Sequence, residues 1–163
     1  MPLIEVVEAN LDQPAHQQAV VELIDAYASE PMAMGNSQPL SDEARRNLIA
    51  GLRKHPTTVI FLAYQGTSAV GIAVCFRGFS TFAARPLINI HDLAVLPAHR
   101  GQGIGRKLLE RVEQRARETD CCKLTLEVGT NNQRARHVYE SLGFAHAASQ
   151  STAGGSLFYS KPL

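Results

Sequence analysis

The sequence predicts a mixed α/β domain built around one sheet. Three observations predict it. Apolar residues recur at helical spacing in four stretches, and β-rich runs lie between them in the order β-α-α-β-β-β-α-β-α-β-β. A glycine-rich turn also joins one strand to a long amphipathic helix.

Leu3 to Glu8 is a short β-like run. Asp12 is a candidate N-cap for a helix with Pro14 in its first turn, where a missing N–H costs nothing. Ala19, Val20, Leu23, Ile24 and Tyr27 give that helix its apolar stripe. Ser29 to Leu40 holds Pro31, Met32, Met34, Gly35 and Pro39 and reads as a loop. Ser41 is a second N-cap candidate, and Asp42 and Glu43 put negative charge in the first turn, where the helix dipole favours it. Ala44, Leu48, Ile49 and Leu52 form the apolar face, and Pro56 stops the helix. Thr57 to Tyr64 and Ala69 to Phe79 are strands joined by a turn at Gln65-Gly66-Thr67-Ser68. After a loop from Ser80 to Pro86, Leu87 to Val95 is a further strand. The long helix runs from about Ile104 to Thr119, burying Ile104, Leu108, Leu109, Val112 and Ala116. Its basic residues Lys107, Arg111 and Arg115 are expected on the solvated side. Lys123 to Val128 is a strand, Gln133 to Leu142 a helix stopped by Gly143, and Phe144 to Ala148 and Leu157 to Ser160 the last strands.

The 163 residues are the size of one domain, expected to span 1–163, and suffice to bury a core without disulfides or metals. A formal charge of +1 supplies no basic excess for a nucleic-acid partner. The longest continuous apolar run, Val59 to Tyr64, is far too short for a bilayer. The start of the chain lacks the pattern of a signal peptide. Cys75, Cys121 and Cys122 make a poor disulfide framework and lack the spacing of a zinc site. The expectation is a cytoplasmic protein with no metal, no membrane partner and no nucleic acid.

The most informative stretch is Val95-Leu96-Pro97-Ala98-His99-Arg100-Gly101-Gln102-Gly103-Ile104-Gly105-Arg106. Amides at a helix start lack intrahelical partners and carry partial positive charge. Glycines remove the Cβ atoms that would hold an anion away from them. With Arg100 and Arg106 nearby, the turn suits a diphosphate. It is not a Walker A loop, because Leu108 follows Lys107. It is not a dinucleotide fingerprint either, because Arg106 stands where the last glycine is required.

Arg100-x-x-Gly103-x-Gly105 matches the pattern [RQ]-x-x-G-x-[GA]. Downstream comes Asn132-x-x-Ala135-x-x-x-Tyr139-x-x-x-Gly143-Phe144. Together, in this order and on these elements, the two motifs resemble the GNAT superfamily of N-acetyltransferases. The resemblance is strongest from about Ile88 to Phe144. It implies a mostly antiparallel central sheet, flanked by helices and splayed where acetyl-CoA binds. It also implies that the backbone of Leu93, Ala94 and Val95 holds the pantetheine arm. The diphosphate would rest on Arg100, Gly101, Gln102, Gly103, Ile104, Gly105 and Arg106, with Asn132 touching the arm. Acetyl-CoA is then the co-substrate, and a homodimer is an arrangement common in the superfamily.

The chemistry asks for three groups. A donor must meet the developing oxyanion, for which a strand N–H near Leu93 or Ala94 serves. A general acid must protonate the leaving thiolate, and the resemblance gives that role to Tyr139. A base must free the acceptor nitrogen. His91 and Asp92 are the candidates, since polar residues in a β-rich run need a partner or a purpose. In the diamine acetyltransferase branch a Glu-Asp pair falls where His91-Asp92 sit. Asp92 could equally attract a cationic acceptor. Adjacent strand residues face opposite ways unless a bulge intervenes. The expected acceptor is a small primary amine, reached by direct transfer in a ternary complex. A protein lysine or N-terminal amine, or a non-catalytic acyl-CoA-binding module, are the alternatives. Met32 and Met34 could line the acceptor pocket. His16, His55, His99, His137 and His146 read as surface residues, and Cys75 and Cys121 as packing.

Overall fold

A computed structural model describes residues 2–31, 37–147 and 155–163. Met32, Met34 and Ala148 lie outside them. The predicted order of elements is the observed one: β1 (Ile4–Glu8), α1 (Pro14–Ala28), α2 (Asp42–Lys54), β2 (Thr58–Gln65), β3 (Ser68–Ser80), β4 (Arg85–Val95), α3 (Ile104–Glu118), β5 (Lys123–Gly129), α4 (Gln133–Ser141), β6 (Ala145–His146) and β7 (Ser156–Pro162). A single 3₁₀ turn, Pro97–His99, precedes α3. The strands form one sheet in the order β1-β2-β3-β4-β5-β7-β6. Its described pairings are antiparallel apart from β4 with β5.

Alternation along the strands divides the core in two. Phe61, Ala73, Cys75, Ile88 and Ile90 face α3 and join Ile104, Leu108, Leu109 and Val112. Ile60, Leu62, Ile72, Val74 and Ala94 face the other way, toward Ala19, Val20 and Leu23 of α1. Cys75 and Cys121 are buried, as expected of packing cysteines. Gly71 matters for what α3 positions. A Cβ there would lie 3.2 Å from both Ile104 Cγ2 and Leu108 Cδ1, so its absence lets the start of α3 sit hard against β3.

Ser41 caps α2 as predicted, its hydroxyl accepting from the Ala44 amide at 3.1 Å. Asp12 does not cap α1. The N-cap position falls on Gln13, which makes no side-chain cap. Asn10 organises this entry instead: its side chain accepts from the Asp12 amide at 2.9 Å, and its carbonyl from the Gln13 amide at 3.0 Å. That leaves the Asp12 carboxylate to pair with Arg53 of α2 at 2.5 Å.

The basic stripe of α3 is less solvated than its sequence implies. Arg111 is half-buried with its guanidinium 4.9 Å from the centre of the Phe61 ring, and Arg115 pairs with Glu8 of β1 at 2.6 Å. Long basic side chains cover apolar sheet surface with their stems while the charged head finds a partner. His16, His99 and His146 are likewise half-buried. His16 Nδ1 accepts from the Asn10 amide at 2.9 Å.

Candidate functional site

The site begins with a defect in the ladder between β3 and β4. Cys75 pairs with Ile90 and Val74 with Asp92, so His91 is an extra residue, a bulge. A bulge bends its strand and strengthens the local twist. The parallel pairing of β4 with β5 runs from Ile88 with Leu124 to Ile90 with Leu126 and stops there. Beyond it the two strands diverge as a V.

Backbone direction past the bulge follows from one hydrogen bond. The Leu96 amide donates to Val70 of β3 at 2.9 Å. In an antiparallel pair the next residue points its N–H and C=O the opposite way. Leu93 and Val95 therefore aim theirs into the V, whereas Ala94 aims at β3. The V opens on a cavity of about 520 Å³. One wall is Leu93, Ala94 and Val95. The other is built from Glu127 to Gly129 of β5 and from Asn132, Ala135, Val138 and Tyr139 around α4. Tyr27 and Glu30, at the end of α1, complete the lining.

At the foot of β4 lies the glycine turn. Gly101 and Gly103 both hold φ of +77°, the left-handed region where a Cβ is costly, and Gly103 is the N-cap of α3. No side chain caps this helix and no acidic residue stands in its first turn. The contrast with α2, which has Ser41, Asp42 and Glu43 at its start, is direct. A Cβ at either glycine would meet nothing within 4 Å, so the turn is uncrowded at both positions. A helix start with no side-chain cap, no acid in its first turn and an uncrowded glycine turn is a fit for a diphosphate.

Tyr139 is 7% exposed, with its ring 5.9 Å from Phe144 and 6.3 Å from Tyr159. Burial pushes its phenol well above the ordinary tyrosine value, and Tyr27 adds to the shift. Its hydroxyl has no hydrogen-bond partner among the described residues, whereas that of Tyr159 donates to Glu140 at 2.6 Å. A buried phenol with a raised pKa keeps its proton and can offer it. The Tyr27 hydroxyl is raised too, first by burial and then by the charges of Asp92 and Glu30.

Burial also raises the Asp92 carboxyl, while a positive charge on His91 works the other way. The folded pKa thus lies above the unfolded one, near 3.9. Ionised Asp92 costs stability, and the cost appears as pH rises through the folded pKa. Asp92→Asn is therefore expected to melt above the parent at pH 7, with the gap closing toward pH of about 4. Melting curves across that range check it; a lower melting temperature at pH 7 would count against the assignment.

A model of the acetyltransferase (GNAT) family matches residues 20–144. The chain belongs to this family. Thialysine N-epsilon-acetyltransferase of Bos taurus is 38% identical to this GNAT chain over 79 residues, 48% of the chain and 46% of the relative. Streptothricin acetyltransferase of Streptomyces lavendulae is 38% identical over 82 residues, 50% of the chain and 43% of the relative. The chain spans about half the length of these curated relatives. The GNAT fold matches the structure of yncA from Salmonella typhimurium with its cofactor acetyl-CoA at a TM-score of 0.78 and 21% identity, over 98% of this chain and 94% of that one. It matches PH1933 from Pyrococcus horikoshii at a TM-score of 0.72 and 26% identity, over 99% of both chains. The predicted sheet, mostly antiparallel and splayed between β4 and β5, is the GNAT sheet.

The GNAT cleft gathers some predicted residues and leaves others aside. Leu93, Ala94, Val95, Arg100, Gly105, Asn132 and Tyr139 line the cavity. Asn132 caps α4, its side-chain oxygen accepting from the Ala135 amide at 3.2 Å. Gly101, Gly103 and the amides of Ile104 and Arg106 form the turn at its foot, and the Ile104 side chain is buried in the core. Gln102 turns away, accepting from Gln65 at 3.3 Å. His91 is exposed and rests edge-on against Phe76, with ring centres 5.5 Å apart. Asp92 pairs with Val74 and so points to the α1 side of the sheet. The bulge thus puts both His91 and Asp92 on the α1 side, behind the cavity wall rather than in it. Tyr27, Glu30 and Glu127 escaped the sequence reading. Tyr27 sits in the apolar stripe of α1, and nothing local distinguishes Glu30 from any other loop acid.

Proposed function

We propose that this chain transfers an acetyl group from acetyl-CoA to the nitrogen of a small primary amine, by direct attack in a ternary complex. The observation that carries this reading is the unpaired edge of β4. Past the bulge, both main-chain groups of Leu93 and the N–H of Val95 face the cleft as on an edge strand, the Val95 carbonyl being taken by Arg100, and an extended amide-bearing arm can add to them. The glycine turn at one end of that edge suits the diphosphate of coenzyme A. Tyr139 stands on the opposite wall.

When bound, acetyl-CoA supplies the activated acyl group. The chain's residues do the rest. The Leu93 N–H is the donor for the oxyanion that develops as the amine attacks. Ala94, the alternative donor, spends its N–H on β3. As the carbon–sulfur bond breaks, Tyr139 gives its proton to the sulfur. The acceptor ammonium gives its proton to water at the open mouth of the cleft before it attacks, since His91 and Asp92 lie outside the cavity lining. Relatives named for thialysine and streptothricin support a small acceptor.

The test is release of free coenzyme A from acetyl-CoA with polyamines, amino acids, aminoglycosides and peptides as acceptors. Turnover with small amines is expected. Turnover with peptides alone would replace this acceptor class, and binding without turnover on any acceptor would leave a coenzyme-binding module.

A further inference from the structure

We infer that the Arg100 side chain is a strut and that Glu30 is its anchor, a positioning residue for the coenzyme A cradle. This rests on the proposal that the cleft takes coenzyme A. The motif places Arg100 beside the diphosphate, but its guanidinium is already committed on two sides. Nε donates to the Val95 carbonyl at 2.9 Å, and one terminal nitrogen donates to both oxygens of Glu30 at 2.6 and 2.5 Å. The pair is largely shielded, with the side chains 31% and 19% exposed. Among the described ion pairs, Arg100–Glu30 combines contact to both carboxylate oxygens with shielding and a further hydrogen bond to the main chain.

What the strut joins decides its role. Val95 ends β4, Arg100 opens the glycine turn, and Glu30 closes α1. Two glycines in the next three positions give the turn little stiffness of its own. Held by Arg100, the turn has a fixed distance from the β4 edge and from the end of α1, which carries Tyr27. The cradle for the diphosphate and the acceptor-side helix are therefore fixed by one side chain. Glu30 borders the cleft, but both of its carboxylate oxygens are taken by Arg100, so it acts on the cradle through that guanidinium.

Lysine keeps the charge of Arg100 but not the fork that reaches Val95 and Glu30 at once. Calorimetry with coenzyme A, on the full chain, separates the possibilities. Glu30→Gln and Arg100→Lys should each raise Kd on the order of tenfold, and the double variant should bind no worse than either, because both remove one unit. Melting of the unliganded variants tests whether a general loss of stability could account for the change. An unchanged or tighter Kd for Glu30→Gln would overturn the inference, since Arg100 would then be a direct anion ligand released by losing its partner. Additive losses in the double variant would overturn it too. Should Glu30→Gln fail to fold, Glu30→Asp, too short to keep the contact to Arg100, is read by the same criteria. If the parent chain binds no coenzyme A, it is the functional reading that falls.

Discussion

Replacing Tyr139 by phenylalanine is expected to lower kcat by ~10²–10⁴-fold, the range for loss of a positioned general acid. The affinity for coenzyme A should scarcely change. The ring contacts with Phe144 and Tyr159 survive the substitution, and the lost hydroxyl has no partner among the described residues. The variant should therefore fold as the parent does, so a fall in rate reports chemistry. The pH profile gives a second check. Burial raises the phenol's pKa, so its proton stays in place beyond the ordinary value of about 10. The rate should rise with pH as the acceptor ammonium loses its proton, with no decline from tyrosine ionisation below that value. Steady-state and single-turnover rates measure both. A kcat equal to the parent's under chemistry-limited conditions removes Tyr139 from the mechanism.

Gly103→Val should abolish coenzyme binding. The residue sits at φ +77°, where a Cβ costs about 1–2 kcal/mol. Valine, branched at that carbon, is worse placed than alanine. Relief means swinging φ negative, which turns the amides of Ile104 and Gly105 out of the cradle. The fold itself should tolerate the change, since the added atom meets nothing within 4 Å. Saturating coenzyme A, at about 100 times Kd, stabilises a binder by about 2.7 kcal/mol. The parent's melting temperature should rise by several degrees and the variant's should not move. Gly103→Ala should lie between them.

Much of this was readable from local chemistry. A glycine-rich helix start advertises itself, because uncapped amides and missing side chains are properties of a few consecutive residues. Tyr139 was singled out through the resemblance carried by Asn132, Ala135 and Gly143-Phe144, and it stands on the cleft wall. Ser41 was readable because capping is a three-residue affair. The bulge at His91 was not, since register depends on which residues of β3 lie opposite, and no stretch of β4 encodes that. The shared orientation of His91 and Asp92 followed only once the slip was known. Glu30 and Tyr27 enter the cleft because α1 crosses the sheet there. Asp12 misled because two neighbouring side chains, Asn10 and Asp12, compete for one turn, and the winner depends on Arg53 from another helix.

The slip at His91 has a consequence for how this sheet lives with its opening. A straight β4 would zip onto β5 along its whole length and seal the ladder, leaving nothing for a guest to complete. One surplus residue goes with an end to the β5 pairing at Ile90, so the last stretch of β4 keeps an edge on that side. Deleting that residue would yield a better-knit sheet and a worse host.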